Sequence, residues 1–388
     1  MTHTAAVYTD RSDSEDAGRH LGQQVRDSLG DTPPDALVVF ASSHFDHTAL
    51  LSALDRECHP KLMVGSSSAG EFTGQRSGEG TACVLALRSD ELLMAAGVGR
   101  GVSQDRAKAA SDAVAAFRGP AERAFLYRSA LIMTDALAGH ADQLVEELTV
   151  LTAGNYQFAG GGAGDDANFS QTHVFFGTGA YSDAVVALEL LSKKPLGIGV
   201  GHGWIPAGKP LRVTQTEGLR LVSLNGVPAV EAFEEHAGAT AQEFDRKNPL
   251  PFFLHNIFGI DTGDGHRLRV PLAVNDDGSV NCAAEIPAGA LVQIMKTTEA
   301  SAVTAARRAT DSAMQGLRGE KASAALFFDC VATRLRMGEA FGFELKSVAQ
   351  SLEGARFVGC NTYGQIARAE GQFGGFHNCT AVVMVLPA

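Results

Sequence analysis

Short apolar runs alternate along the chain with segments whose apolar residues recur every three or four positions. This pattern predicts strands alternating with amphipathic helices. The apolar run 37–40 precedes a predicted helix at 48–57 and the glycine-rich stretch 65–71. The same three parts recur 94 positions later without a gap, at 131–133, about 140–151 and 160–166. The chain therefore contains an internal repeat.

A looser third copy closes the chain, from the apolar run 326–330 to the turn 359–365. We expect the glycines of the three turns to occupy equivalent places; these are Gly70, Gly164 and Gly364. An oxygen-bearing side chain follows each of them, namely Glu71, Asp165 and Gln365. Such groups either converge on a polar ligand or bond their own turns.

Helices that alternate with strands indicate an α/β fold built from repeated strand–helix–strand–hairpin units. We predict two domains, residues 1–200 with two repeats and residues 201–388 with the third repeat at 324–388. The runs 81–87 and 92–98 are predicted to form a hairpin across the polar residues between them.

Composition excludes several classes of function. A formal net charge of −12 and a pI near 5.5 argue against binding nucleic acid or an anionic membrane. No apolar run approaches the length of a membrane span, and the N-terminus lacks the features of a secretory signal. The six cysteines occur singly, mostly within apolar strands, which predicts buried free thiols in the cytoplasm.

Two histidines are candidate ligands of a metal or haem. His202 lies between two glycines beside the only tryptophan, Trp204, and His377 opens the last predicted strand. Each also has a simpler interpretation as a hydrogen-bonded structural residue. A cysteine-dependent enzyme that uses Cys330 and His377 is the alternative to a binding protein, although the nucleophile-elbow and zinc-protease motifs are absent from the sequence.

The order of these motifs resembles the FIST family. The stretches 65–71, 134–139, 160–165 and 172–175 are similar to the N-terminal FIST domain. Similarity to the C-terminal FIST domain is carried by the stretches 203–206, 224–229, 329–334, 362–366 and 376–380. Gln365 stands where the family usually has Glu, and Cys379 where Gln is common.

This resemblance implies a non-enzymatic, cytoplasmic sensory protein that binds a small ligand and signals through another protein. The implied ligand is either amino-acid-like or haem b that senses nitric oxide, held without covalent attachment by His202 or His377. Because no output domain follows Ala388, we expect a separate partner such as a histidine kinase or a cyclic-di-GMP enzyme. We predict a pocket in the C-terminal half and the inter-domain seam; its ligand-binding residues are Glu71, Asp165, Arg334, Tyr363, Gln365, His377 and Asn378.

Overall fold

The computed structural model describes residues 1–263, 265–369 and 375–388, and it confirms the mixed α/β fold. Three units follow one another along the chain. Each contains an edge strand, a helix, a central strand, a second helical segment, a parallel strand, a small hairpin and a returning strand.

The first helix of the first unit starts where its sequence predicts, since the Asp13 side chain accepts the backbone N–H of Asp16 at 2.8 Å and so caps the helix. Its elements are β1 (Thr2–Thr9), α1 (Ser14–Leu29), β2 (Ala36–Ser42), α2 (His47–Cys58), β3 (Leu62–Ser68), the hairpin β4 (Glu71–Thr73) and β5 (Ser77–Gly78), and β6 (Ala82–Ser89).

The second unit repeats this order. Its elements are β7 (Leu92–Arg100), α3 (Arg106–Val114), β8 (Tyr127–Thr134), α4 (Ala141–Leu151), β9 (Gln157–Gly162), the hairpin β10 (Val174–Phe176) and β11 (Gly179–Tyr181), and β12 (Ala184–Ser192).

The third unit opens with β13 (Gly197–Gly201) and is then interrupted by an insertion, residues 205–296. The insertion contains β14 (Ile205–Pro206), β15 (Leu211–Glu217), β16 (Arg220–Leu224), β17 (Val227–Pro228), α5 (Ala229–Thr240), α6 (Leu250–Phe253), β18 (Ile257–Asp261), β19 (His266–Arg269), β20 (Pro271–Val274), β21 (Val280–Cys282) and β22 (Leu291–Lys296). The unit resumes with α7 (Glu299–Gly316), β23 (Ala322–Cys330), α8 (Val331–Met337), α9 (Phe341–Ser351), β24 (Arg356–Thr362), the hairpin β25 (Gln365–Arg368) and β26 (Gly375–His377), and β27 (Ala381–Pro387).

The three units exchange their hairpins in a cycle. Each unit's hairpin leaves its own sheet and pairs with the parallel strand of another unit. The strand orders are therefore β1-β6-β2-β3-β10-β11, β7-β12-β8-β9-β25-β26 and β13-β27-β23-β24-β4-β5. Because every sheet needs a hairpin from elsewhere in the chain, the three units form one interlocked body.

The exchange corrects one prediction. The runs that become β6 and β7 do not form a hairpin, because β6 pairs with β1 and β2 while β7 pairs with β12 in a different sheet. Both strands have two apolar faces, and alternation alone does not identify the partner of such a strand.

The central strands β2, β8 and β23 are mostly apolar, and both of their faces are largely buried. Phe40 of β2 and Phe328 of β23 meet edge to face, 5.6 Å between ring centroids, in a core shared by the three sheets. The alternate residues, such as Val39 and Phe327, pack against the helices outside. The insertion has a core of its own around Phe233, and a smaller cluster that includes Trp204 and Cys330 lies between the insertion and the third unit.

Candidate functional site

The turns after β3, β9 and β24 meet at one point. The N–H of Ala69 donates to the carbonyl of Asn361 at 3.0 Å, and the N–H of Tyr363 donates in the same way to Gly162 at 2.9 Å. The third bond of the set runs from the N–H of Gly164 to the carbonyl of Ser67 at 3.0 Å. The carboxyl ends of all three parallel strand pairs therefore converge here, which is where open α/β sheets place their ligands.

Close backbone approach sets the register of these turns. A Cβ on Gly65 would lie 1.8 Å from the carbonyl oxygen of Val39, and Gly160 and Gly359 make the same approach to their own central strands. The residues five positions after these three glycines are Gly70, Asp165 and Gly364. The prediction that Gly164 is equivalent to the other two turn glycines is therefore wrong by one residue.

The equivalent of Glu71 and Gln365 is consequently Asp166 rather than Asp165. One carboxylate oxygen of Asp166 accepts the Ser42 hydroxyl at 2.7 Å and the backbone N–H of Ser43 at 2.8 Å. The shift arises between the paired strands, because Gly65 follows its partner Val39 by 26 residues (65 − 39) whereas Gly160 follows its partner Ile132 by 28 (160 − 132). The second turn is therefore offset from the first by 95 positions (160 − 65) rather than by 94.

Asp165 holds that connection in place. Its carboxylate accepts the backbone N–H groups of Phe169, Ser170 and Gln171 at 2.7–2.9 Å, together with the hydroxyl of Tyr363. Burial opposes ionisation, but the bond from Tyr363 and the backbone bonds outweigh it and lower the pKa of Asp165 below its ordinary value. The carboxylate of Asp165 is therefore already hydrogen-bonded to groups of the chain itself.

Gln365 is also engaged internally. Its side chain is fully buried, its amide nitrogen donates to the Thr362 hydroxyl at 2.9 Å, and its oxygen accepts the N–H of Thr380 at 3.2 Å. Of the three oxygen-bearing side chains predicted to converge on a ligand, Asp165 and Gln365 instead bond their own surroundings.

A polar cavity of about 390 Å³ lies between the first unit's hairpin and α8. It is lined by Glu71, Arg334 and Asn361 among others. Asn361 is fully buried, yet neither its amide nitrogen nor its amide oxygen has a hydrogen-bond partner within the described residues. The Nε of Arg334 is likewise buried without a partner there. Native proteins rarely leave such groups unpaired, and these two lie at one cavity, which makes it the candidate site.

Gly70 keeps this arrangement open. A Cβ at residue 70 would lie 3.0 Å from Oδ1 of Asn361 and 3.3 Å from Nε of Arg334. At the cavity rim Arg334 forms an ion pair with Glu79, whose side chain is 68% exposed.

Glu71 adds a group that titrates near neutral pH. Its two carboxylate oxygens accept the hydroxyls of Ser68 at 2.5 Å and Thr81 at 2.6 Å. Complete burial raises the pKa of Glu71 to about 7 despite these two bonds. The lining of the cavity therefore includes a guanidinium, an amide with no partner among the described residues and a carboxyl group with a raised pKa.

A second, apolar cavity of about 170 Å³ lies at the seam with the insertion. Tyr363 and Asn378 line it together with Cys282, Cys330 and many aliphatic side chains. The Asn378 oxygen accepts the N–H of Val270 at 3.4 Å, and the Tyr363 ring stacks on Phe169 at 4.4 Å. The structure thus separates the predicted ligand-binding residues. Glu71 and Arg334 line the polar cavity, and Tyr363 and Asn378 line the apolar one. The other three line neither cavity; these are Asp165, Gln365 and His377.

Neither predicted haem ligand presents an open imidazole. His202 donates from Nε2 to the carbonyl of His266 at 3.1 Å and accepts the N–H of Trp204 at Nδ1, 3.3 Å away. His377 is 5% exposed, and its pKa is lowered to about 3 by burial and by the neighbouring charges of Arg267 and Arg269. Its Nε2 has no partner in the described part of the chain. Iron coordination would require His202 to give up a bond or the strand of His377 to open, and haem binding stays a prediction.

The alternative catalytic pair is not assembled. The thiol of Cys330 is hydrogen-bonded to the thiol of Cys379, whereas His377 lies among basic side chains. All six cysteines are buried, as predicted. Within the described ranges, no three His, Cys, Asp or Glu side chains form a group that could hold a metal ion.

Sequence reasoning missed Asn361. It lies inside the third glycine-rich turn, but only the fold shows that its amide is buried beside Arg334 without a partner. One feature of the sequence did point to Asn361: it stands two residues after Gly359, in the third of the repeated turns.

The fold is that of a mixed α/β protein with two cavities beside the point where its three repeated turns meet. The FIST N domain matches residues 35–227 and the FIST C domain matches residues 229–368. The chain belongs to the FIST family, whose domains are sensory and bind small ligands. None of the helices in the described ranges combines the length and hydrophobicity that crossing a bilayer requires.

Similarity to solved structures is weak. Cyanuric acid hydrolase from A. caulinodans is 7% identical, with all of both chains covered and a TM-score of 0.35. T. maritima PurL complexed with ATP is 12% identical, with 100% of this chain and 71% of that chain covered and a TM-score of 0.23. Neither similarity carries an argument about this chain. A comparison with curated proteins found no match.

Proposed function

We propose that this protein is a non-enzymatic sensor whose polar cavity binds an amino-acid-like molecule and which signals to a separate partner, such as a histidine kinase or a cyclic-di-GMP enzyme. The observation that carries the proposal is the buried, unpartnered amide of Asn361 beside the unpartnered Nε of Arg334. A cavity of about 390 Å³ lies within the range typical of small-molecule sites.

The chemistry of the lining suits a zwitterion. The N–H groups of Arg334 and Asn361 are two adjacent donors for a carboxylate, and bonds from charged donors are stronger than neutral ones. The oxygens of Asn361 and Glu71 are acceptors for an ammonium group. An ammonium beside Glu71 would favour its ionised form, so binding and deprotonation of this carboxyl are coupled.

The position of the cavity supports a signalling role. A ligand there touches both the hairpin of the first unit, through Glu71, and the helical segment of the third unit, through Arg334 and Phe341. A ligand shifts a conformational equilibrium only by binding its two states differently. A ligand that bridges two units can bind two arrangements of those units with different affinities. The helix pair α8–α9 would then present the conformational change to a partner.

Haem with nitric oxide is the alternative ligand, and it has less support. Both ring nitrogens of His202 are occupied within the chain. The apolar cavity, at about 170 Å³, is close in volume to one that holds a single benzene molecule, and haem is several times larger.

Thermal unfolding with each of the common amino acids tests the proposal, because a ligand that binds only the folded state raises the melting temperature. We expect at least one amino acid to stabilise the protein. Asn361→Ala and Arg334→Gln should each weaken the binding of that amino acid by about 10- to 100-fold, because this is the change in affinity that the loss of one hydrogen bond to a charged group produces. Asn378→Ala, which changes the other cavity, is the matched control and should bind normally. Equal binding by wild type and Asn361→Ala, or no stabilisation by any amino acid, would overturn the proposal.

A further inference from the structure

Two thiols meet at the seam between the insertion and the third unit. The Cys379 thiol donates a hydrogen bond to the sulfur of Cys330, and both residues belong to the buried cluster that also contains Trp204. Cys330 is 3% exposed and Cys379 is 4% exposed. The proposed ligand cavity does not use this pair.

The backbone places the two residues near each other. The register of β23 and β27, continued past its last pair, sets Thr380 opposite Cys330 and Cys379 one residue further on. Strands β23 and β27 pair antiparallel up to Phe328 and Val382, and Cys330 and Cys379 stand just beyond that pair. Neighbouring strands are about 5 Å apart, and disulfides need a Cα–Cα separation of about 4.4–6.8 Å. Cys379 also has a φ of 48°, a left-handed conformation that is uncommon outside glycine and that concentrates at functional sites.

Cys330 differs from the other cysteines in its acidity. It lines the apolar cavity at the seam. The hydrogen bond from Cys379 lowers the pKa of Cys330 to about 7 in spite of burial. Cys282 lines the same cavity, but burial raises its pKa to about 12. Because the thiolate is the nucleophile, these two cysteines of one cavity should react very differently.

We propose that Cys330 and Cys379 are an oxidation site, a thiol pair that hydrogen peroxide converts to a disulfide. The Cys330 thiolate attacks one peroxide oxygen, the O–O bond breaks, and the departing hydroxide takes up a proton to become water. Cys330 is thereby oxidised to a sulfenic acid and the peroxide is reduced. The sulfur of Cys379 then attacks that of Cys330, its thiol proton leaves with the hydroxyl group as a second water, and the S–S bond forms.

The disulfide would join the start of α8 to the residues before β27, beside the apolar cavity. It would therefore fix the seam on which the insertion rests. This site is independent of the polar cavity, and its test does not require a ligand.

Peptide mapping of the full-length protein after limited peroxide treatment tests the proposal. We expect the free thiol count to fall from six to four, with a Cys330–Cys379 linkage that a dithiol reductant reverses. Cys282 should remain a thiol and should react at least tenfold more slowly than Cys330. Oxidation of Cys282 or another cysteine at the same rate, or no Cys330–Cys379 linkage while the peroxide is consumed, would overturn the proposal.

Variants separate the two steps. Cys379→Ser keeps a hydroxyl donor beside Cys330 but lacks the second sulfur, so it should stop at a sulfenic acid on Cys330, detected with a sulfenic-acid-specific reagent. Cys282→Ala should form the disulfide like wild type. Trp204 is the only tryptophan, so its emission reports on this cluster. It should change on oxidation of wild type and of Cys282→Ala but not of Cys330→Ala. If Cys330→Ala does not fold, the wild-type peptide map alone decides the question.

Discussion

The backbone N–H of Asn361 donates to the carbonyl oxygen of Gly70 at 2.8 Å, joining the turn of the third unit to that of the first. The same two residues bound the polar cavity. The main chain thus holds Asn361 rigidly in place while its side-chain amide has no partner within the described residues.

Gly70→Ala should damage both stability and binding. Residue 70 has a φ of +121°, where a side chain is strained, and the new Cβ would lie 3.0 Å from Oδ1 of Asn361. We expect a loss of about 1–3 kcal/mol in the free energy of unfolding, and at least a tenfold loss of amino-acid affinity. Urea unfolding and ligand titration measure the two effects.

Gly30→Ala is the control for that change. Gly30 also has a positive φ, +76°, but a Cβ there would have no atom within 4 Å. This variant should lose stability and keep its affinity. If the two variants bind alike, the space at Gly70 does not serve the ligand.

Glu71→Gln should flatten part of the dependence of stability on pH. Below pH 4.5, the ordinary pKa of the carboxyl, both folded and unfolded states carry the proton. Between pH 4.5 and the folded-state pKa of about 7, only the folded state keeps the Glu71 proton, so the free energy of unfolding falls as the pH rises. The whole effect is about 3 kcal/mol. Urea unfolding at pH 5 and pH 8 should show a smaller decrease for Glu71→Gln than for wild type. Glu79→Gln, at the exposed rim, should behave like wild type, and identical slopes for all three proteins would contradict the assignment.

Asp142→Ala should weaken the attachment of the insertion to the second unit. Arg269 of the insertion is 1% exposed and forms an ion pair with Asp142 of α4. Removing the carboxylate leaves a buried guanidinium, bonded still to the Glu285 carbonyl, and should cost about 3 kcal/mol. Chemical unfolding measures the loss. Asp112→Ala, which breaks the exposed pair with Lys108, should cost less than about 1 kcal/mol. Equal costs would mean that the buried pair contributes no more than a surface pair.

An absorption spectrum after reconstitution tests the haem prediction. If haem binds through the residues predicted from the sequence, a Soret band appears that His202→Ala abolishes and His377→Ala only weakens. A wild-type protein that takes up no haem, or variants with unchanged spectra, would leave a polar ligand as the sole candidate.

Much of the local structure was readable from the sequence. The helix predicted at 48–57 is α2, and the helix predicted at about 140–151 is α4. Such elements are predictable because their apolar periodicity and their end signals lie within a few residues of one another. The internal repeat was readable for the same reason.

The fold alone decided how these elements combine. The sequence does not show that β6 and β7 enter different sheets or that each hairpin joins another unit, because strands buried on both faces have no pattern that selects a partner. Nor does it show that Gly160 and Gly65 are equivalent, since that follows from backbone contact with the neighbouring strand.

The candidate site also has features that the sequence determined and features that only the tertiary structure decided. The sequence by itself identified the three turns, the family and most of the polar residues near the cavities, because these follow from short motifs. Only the tertiary structure turned Asp165 and Gln365 inward, left Asn361 unpaired beside Arg334, and set Cys330 against Cys379. These contacts join residues that are distant in the chain. Burial removes water as a hydrogen-bond partner, so each buried group can pair only with the groups that the fold brings close to it.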